Sequence, residues 1–337
     1  NERKISRIKM RKEEIIGLFD SFNKKKVLIV GDAMIDAYMW GKIERQSPEA
    51  PVPVVEIEKH ENRLGGAGNV ARNIKSLGAT PILCAVVGDD FRGKHLKQLL
   101  KEEALSTVGI LIEKSRKTTV KTRVISEDKH QLRIDEEDTF PIKVEQEFLE
   151  LVYSNMEDVD VIILQDYNKG VLTPFVIKNI IKKANTLNIP TIVDPKTKNF
   201  LAYKNCDIFK PNLKEIKTGC NISFDENNMS EIKSATKDLL QMIKAKGILL
   251  TLSEKGVCMQ TADNFTHINA EKRNIIDVSG AGDTVISTSA LCLASNVDFV
   301  SLSQFANLAG GLVCQRVGVV PIEKTELLKN AISYFTN

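Results

Sequence analysis

The chain has 337 residues, 42% apolar and 27% charged, an ordinary globular balance that allows one large α/β domain or two smaller ones. Its net charge is +3 and its basic residues are scattered, so it carries no electrostatic footprint for nucleic acid. The longest uncharged stretches, 284–297 and 299–315, hold too many Ser, Thr, Asn and Gln for a membrane span and read as core helices.

Cys84, Cys206, Cys220, Cys258, Cys292 and Cys314 show neither CxxC nor metal-type spacing, and several sit in apolar runs as buried free thiols do. The N-terminus is charged and has no apolar signal-peptide core. Together these predict a reducing, cytoplasmic location.

Residues 1–24 form a basic extension whose Ile15, Ile16, Leu18, Phe19 and Phe22 share one helical face. That face would pack on the domain or on a partner subunit. Residues 26–30 read as a buried strand, followed by Gly31, Asp32 and Asp36. Acids at the carboxyl end of such a strand stand where α/β proteins bind ligands. There an Asp can accept bonds from sugar hydroxyls or simply cap a turn. From Arg45 to Glu58 the chain carries Pro48, Pro51 and Pro53 and then alternates, which suits an exposed flap.

Leu64-Gly65-Gly66-Ala67-Gly68-Asn69 follows, opening a segment of helical spacing that runs to Leu77. The glycines let backbone approach a ligand, and the Asn69 amide would be free for sugar hydroxyls, or would cap the helix. Residues 118–125 alternate with period two and 131–135 continue as a second strand, with a turn between. They would complete the flap, giving lid segments near 42–62 and 108–136. A lid that excludes water protects a phosphoryl donor from hydrolysis. Arg123 and Arg133 on it suit a substrate phosphate, although most surface arginines have no such role.

A buried strand at 161–164 leads into Gln165-Asp166-Tyr167-Asn168-Lys169-Gly170. Lys169 would steady an anion at the sheet edge or face solvent. Thr173-Pro174 starts a helix. Strand 191–194 ends in Asp194, repeating the strand-then-acid pattern. Asn212 and Glu215, three apart at a helix start, suit a hydrated Mg²⁺ and equally a capping pair. Strand 247–252 runs into Ser253-Glu254-Lys255-Gly256. Last comes Asp277-Val278-Ser279-Gly280-Ala281-Gly282-Asp283-Thr284, after a strand-like run at 274–278. Its glycines open a helix whose first amides and dipole attract an anion. Asp283 could deprotonate a hydroxyl there while the amides neutralise a phosphoryl group. An ordinary N-cap would use the same residues.

The string from Asp277 to Thr284 resembles the C-terminal signature of the ribokinase-like (PfkB) sugar kinases. Gly65, Gly66, Gly68, Asn69 and Gly78, with the run from Val86 to Gly93, resemble the N-terminal signature. Ser47-Pro48-Glu49-Ala50-Pro51-Val52-Pro53-Val54 and Asp166-Tyr167-Asn168-Lys169-Gly170 resemble more narrowly the D-glycero-D-manno-heptose 7-phosphate kinases, the kinase part of ADP-heptose synthases. The likeness spans roughly residues 25–335.

The resemblance implies a ribokinase-like α/β fold, with a mostly parallel central sheet covered by helices on both faces and a small β-flap lid. It implies Asp283 as catalytic base, with Gly280, Ala281 and Gly282 forming an anion hole. Asp36, Gly65, Gly66, Asn69 and Lys169 would hold the sugar, with Arg123 and Arg133 on its phosphate. Asn212, Leu213, Lys214 and Glu215 would meet ATP, joined by Ser253, Lys255 and Gly256, and Asn212 and Glu215 would lie near Mg²⁺. The implied reaction is ATP-dependent phosphorylation of the C1 hydroxyl of heptose 7-phosphate, in lipopolysaccharide precursor synthesis. Two alternatives stand: a kinase for another sugar or sugar phosphate, and a non-catalytic sugar- or nucleotide-binding regulator. There is no Walker A string and no strand-borne GxGxxG, against a P-loop kinase and a dehydrogenase. None of His60, His95, His130 and His267 lies in an H-x-G-H string, so the chain reads as the separate kinase, or as the kinase part of a longer chain that continues into a nucleotidyltransferase domain. Exposed flap edges predict a homodimer.

Overall fold

Strand and helix patterns alternate along this chain, and most of the strands they build are parallel and linked by helices. The computed structural model of the protein describes residues 8–127 and 129–336. First come α1 (Lys12–Phe22), β1 (Lys26–Gly31), the long strands β2 (Ala33–Gln46) and β3 (Pro53–Gly66), α2 (Ala67–Ser76), β4 (Thr80–Gly88) and α3 (Phe91–Glu102). Next are β5 (Ile110–Glu113), β6 (Val120–Ser126), β7 (Lys129–Glu136), α4 (Glu145–Ser154), β8 (Val161–Gln165), α5 (Pro174–Thr186), β9 (Thr191–Asp194), β10 (Ile208–Phe209) and α6 (Leu213–Cys220). The chain closes with α7 (Met229–Ile243), β11 (Gly247–Thr251), β12 (Val257–Thr261), β13 (Phe265–Ile268), α8 (Ala281–Ala294), α9 (Phe299–Val313) and α10 (Lys324–Thr336).

Nine strands form one sheet in the order β13-β12-β11-β10-β9-β8-β1-β4-β5, parallel except that β12 runs against both its neighbours. β1 is the switch point, since β4 lies on one side of it and β8 on the other. The carboxyl ends of β1, β8 and β9 therefore open onto one crevice. Both faces of the sheet are covered, which is why β1 is apolar at every interior position. Val27 and Ile29 pack against α1, α2, α8, α9 and α10, while Leu28 and Val30 pack against α4, α5 and α7.

Helix α1 forms on the face that its spacing predicts. Ile15, Phe19 and Phe22 are buried, the Phe19 ring lies 6.1 Å from that of Phe305 on α9, and the Met10 amide donates to Phe335 O of α10 at 3.2 Å. Residues 1–7 of the basic extension lie outside the described residues.

β3, β2, β6 and β7 make a second, four-stranded sheet. It differs from the expected flap in two places. β2 starts at Ala33 and β3 ends at Gly66, so Asp36 and Gly65 belong to this sheet. The segment Ile110–Glu113 does not join it but pairs with β4 at the edge of the main sheet, because Ile110 is needed in the core. The run 274–278 also departs from expectation, since it is not a strand. The amides of Ile276 and Asp277 donate instead to Cys314 O, just past α9, at 2.9 and 3.2 Å, and Ile275, Ile276 and Val278 stay exposed.

Candidate active site

Asp283 sits in the first turn of α8, behind Gly280, whose φ of +80° lets the chain turn sharply into the helix. The helix behind it is nearly all buried, so the carboxylate is presented from a fixed base. Of the three amides expected to form an anion hole, that of Ala281 is spent on Val278 O at 3.2 Å. The Gly282 and Asp283 amides remain as first-turn donors. Asp283 Oδ2 accepts from Asn69 Nδ2 at 2.7 Å, and Oδ1 accepts from the Tyr167 hydroxyl at 2.7 Å and Gln165 Nε2 at 3.3 Å. Burial pushes its carboxyl up to about 6; the Asn69 and Tyr167 bonds oppose the rise, Asp194 adds to it and Lys210 offsets it.

Gly65 and Gly66 join β3 to α2. A Cβ on Gly65 would strike the Asp36 carboxylate, and Gly66 takes φ +57° as the N-cap of α2. These two glycines bring β3 against β2 and turn α2 so that Asn69 lies fully buried beside Asp283. The Asn69 amide is therefore not wholly free. Its nitrogen is on Asp283, while its Oδ1 is buried and unpartnered among the described residues. Behind it, Asn73 Oδ1 accepts from Thr284 Oγ1 at 3.1 Å and Ile322 N at 3.0 Å, which ties α2 to α8.

The strand ends supply the crevice floor. Asp32, after β1, accepts the amides of Tyr167, Lys169 and Val171 at 2.8, 3.0 and 3.2 Å, so it shapes the loop after β8. Burial raises its carboxyl and those three bonds oppose the rise. Asp166 accepts from the Tyr203 hydroxyl at 2.7 Å and is pushed up to about 6 by burial and then by Asp32. Gln165, at the end of β8, bridges Asp194 Oδ2 at 3.0 Å to Asp283. Lys210 pairs with Asp194 at 2.9 Å, both buried, and borders the glycine turn at Gly282. Sequence reading passed over Gln165, Tyr167 and Lys210 as site residues. Their signal was available, because each lies at or just past the carboxyl end of a parallel strand.

On the small sheet, Asp36 is buried and pairs with Arg123 at 2.5 Å. Arg133 lies opposite Arg123 in the ladder, yet its guanidinium is exposed and paired with Asp135 at 3.0 Å. The second arginine drawn inward is Arg63, unnoticed in the sequence, which lies opposite Asp36 in the ladder, is ion-paired with Glu61 and stands 5.0 Å from the Tyr38 ring. Arg123 stands 5.3 Å from the same ring. Lys169 is held by Glu137 at 2.7 Å, and Lys121 shares that carboxylate at 3.1 Å.

Across the crevice, Asn212 and Glu215 form a reciprocal capping box on α6, at 2.8 and 2.9 Å, and Lys196 pairs with Glu215. Asn212 also bridges to Thr251, which sets α6 beside the turn holding Ser253 and Gly256. Leu213 is half-buried and Lys214 exposed in the first turn. Lys255 is tied to Asn227 Oδ1 at 2.7 Å and Glu226 O at 3.0 Å. Because the Asn212 and Glu215 oxygens already serve backbone amides, this donor set suits a hydrated Mg²⁺ met through water, not an all-protein cage. No group of three metal-ligating side chains occurs among the described residues.

A buried carboxylate carried in a first helical turn that leaves amides unspent, at the switch point of a parallel sheet, has the parts that phosphoryl transfer needs. The pfkB family carbohydrate kinase signature matches residues 24–325, and the chain belongs to that family. It is thus a carbohydrate kinase, a phosphotransferase with an alcohol acceptor. Among curated proteins, the bifunctional protein HldE of Campylobacter curvus is 39% identical over 295 residues, covering 88% of this chain and 62% of that protein. The bifunctional protein HldE of Helicobacter pylori is 36% identical over 310 residues, covering 91% and 66%. The chain therefore spans less than two thirds of the length of these relatives.

Escherichia coli phosphofructokinase-2 in complex with substrates and products superposes with a TM-score of 0.77 at 19% identity, covering 93% of this chain and all of that one. Arabidopsis thaliana ribokinase complexed with ribose and ATP gives 0.70 at 16%, covering 90% and 98%. At such identities the likeness is one of fold, and the fold is ribokinase-like. No helix among the described residues is long and apolar enough to cross a membrane.

Proposed function

We propose that this chain transfers the γ-phosphoryl group of ATP to the C1 hydroxyl of D-glycero-D-manno-heptose 7-phosphate, giving the 1,7-bisphosphate for ADP-heptose synthesis in the cytoplasm. The observation that carries the reading is the setting of Asp283, buried at the mouth of α8 with Asn69, Tyr167 and Gln165 on its carboxylate. Its likeness to two bifunctional HldE proteins and the strings from Ser47 and Asp166 support the heptose assignment.

In this mechanism Asp283 takes the proton of the sugar hydroxyl. The freed oxygen attacks the γ-phosphorus, and the bond to the bridging oxygen breaks, so ADP leaves with the electron pair. The Gly282 and Asp283 amides and Lys210 face the phosphoryl group as its charge spreads. Asp36, Gly65, Gly66 and Asn69 border the sugar, while Arg63, Arg123 and Lys169 supply positive charge for its phosphate. Asn212 and Glu215 would meet a water-shelled Mg²⁺ on the nucleotide side. When bound, that ion would neutralise the ATP phosphates.

The test is ADP release with Mg-ATP against heptose 7-phosphate, fructose 6-phosphate, fructose, ribose and adenosine, with Asp283→Asn alongside. Turnover confined to heptose 7-phosphate and lost in the variant bears out the proposal. Turnover on another sugar keeps the mechanism and overturns the substrate. Nucleotide binding without turnover on any of them favours a regulator.

A further inference from the structure

We propose that Tyr167 is the positioning residue of the catalytic base: its hydroxyl, with Gln165, fills Oδ1 of Asp283 and leaves Oδ2 as the atom that receives the sugar proton. This rests on the reading of Asp283 as base given above. Each carboxylate oxygen has two in-plane acceptor positions. Oδ1 takes Tyr167 at 2.7 Å and Gln165 at 3.3 Å. Oδ2 takes Asn69 at 2.7 Å, and no second donor to it occurs among the described residues.

Tyr167 is itself fixed. Its amide donates to Asp32 at 2.8 Å, its ring lies against Gly66, and Lys196 Nζ stands 5.5 Å from the ring. A Cβ at Gly66 would strike Asp32 O and crowd Met34 while only touching the Tyr167 ring, so the glycine that starts α2 lets the backbone pass close to the loop that Asp32 shapes. The Asn69 Oδ1, buried and unpartnered among the described residues, is the acceptor left near Oδ2 for a second sugar hydroxyl.

The proton balance follows directly. The sugar O–H bond breaks, an O–H bond forms on Oδ2, and the sugar oxygen keeps the electron pair that attacks the terminal phosphorus of the nucleoside triphosphate. Throughout, Tyr167 keeps its own proton, since burial and the nearby Asp283 hold its hydroxyl well above the ordinary tyrosine range. Other charged groups face Asp283 from neighbouring elements: Asp194 at the end of β9, Lys196 beyond it, and Lys210 after β10. Asp36 on β2 acts on Tyr167. Asp194 and Lys210 pair with each other at 2.9 Å, and neither bonds the tyrosine hydroxyl, whose hydrogen bond goes to Asp283.

The test follows the ¹³C carboxyl signal of Asp283 through a pH titration of the free protein, with Asp283→Asn assigning the resonance. In Tyr167→Phe the ring remains and the donor is lost, so the Asp283 midpoint should rise by about one pH unit. The acid limb of kcat/KM should move up by the same amount, with the thermal midpoint unchanged. An unmoved Asp283 midpoint overturns the proposal. So does a uniform loss of activity at every pH with no shift of the limb, because that is what a packing role alone would give. If the wild-type chain phosphorylates no sugar, the functional reading fails on its own, and the carboxyl titration still decides the place of Tyr167.

Discussion

Asn69, in the first turn of α2, donates a 2.7 Å bond to Oδ2 of Asp283, in the first turn of α8 and 214 positions further along the chain. Two helix N-termini thus meet at one carboxylate, and each is opened by glycine. The two sequence signatures of the family are the two halves of one contact.

Asp283→Asn keeps this bond geometry and removes the base, so turnover should fall by about 10²–10⁴-fold. Asn69→Ala withdraws one donor from a charged acceptor and should cost about 10–100-fold in kcat/KM. Sugar-dependent ADP release, read beside a thermal melt, checks both. Near-normal turnover in Asp283→Asn would sink the base assignment.

Arg123 and Arg133 should separate. Arg123 is the partner of buried Asp36, and Arg123→Met should raise KM for a sugar phosphate by about 10–100-fold while affecting the unphosphorylated sugar far less. Arg133→Gln removes only an exposed pair and should change stability by about 0.5 kcal/mol or less. Equal KM effects from the two would show that both reach the phosphate.

Asp166 gives a pH signature. Its carboxyl is raised to about 6 in the fold, against about 3.9 in an unfolded chain. Between those values the folded state binds more protons, so this group makes stability fall as pH rises, and the loss is complete above the folded value. The two-unit rise corresponds to a cost on the order of 3 kcal/mol at neutral pH. Asp166→Asn retains an acceptor for the Asn168 amide and should be more stable than wild type at pH 7, with the gap closing by pH 4. Urea unfolding at both pH values measures it, and a gap independent of pH would refute it.

A homodimer is expected through β7, the edge of the small sheet, where Leu132 and Ile134 are 58% and 46% exposed. Light scattering should give twice the 37.5 kDa chain mass, and Leu132→Glu with Ile134→Lys should return it to the single value. A wild-type monomer removes this expectation.

The sequence by itself determined the alternation of buried strands and helices and the family, because apolar runs mark buried strands and a short glycine-rich string marks how a helix begins. The helix after Thr173-Pro174 and the face of α1 were legible for the same local reason. Local pattern could not say what a segment would pair with. The run at 274–278 reads as strand-like but finds its hydrogen-bond partner in a helix end, and Ile110–Glu113 goes to the main sheet instead of the flap.

Tertiary structure alone decided the electrostatics of the crevice. Lys210, Asp194, Gln165 and Asp283 come from three strand ends and a helix, and their spacing depends on the order of strands in the sheet. Which arginine turns inward was likewise set by ladder register, which puts Arg63 opposite Asp36 and leaves Arg133 at the open edge. These partners meet only through folding, Arg123 and Asp36 from 87 positions apart and Gln165 and Asp283 from 118, and no periodicity in the chain records such distances.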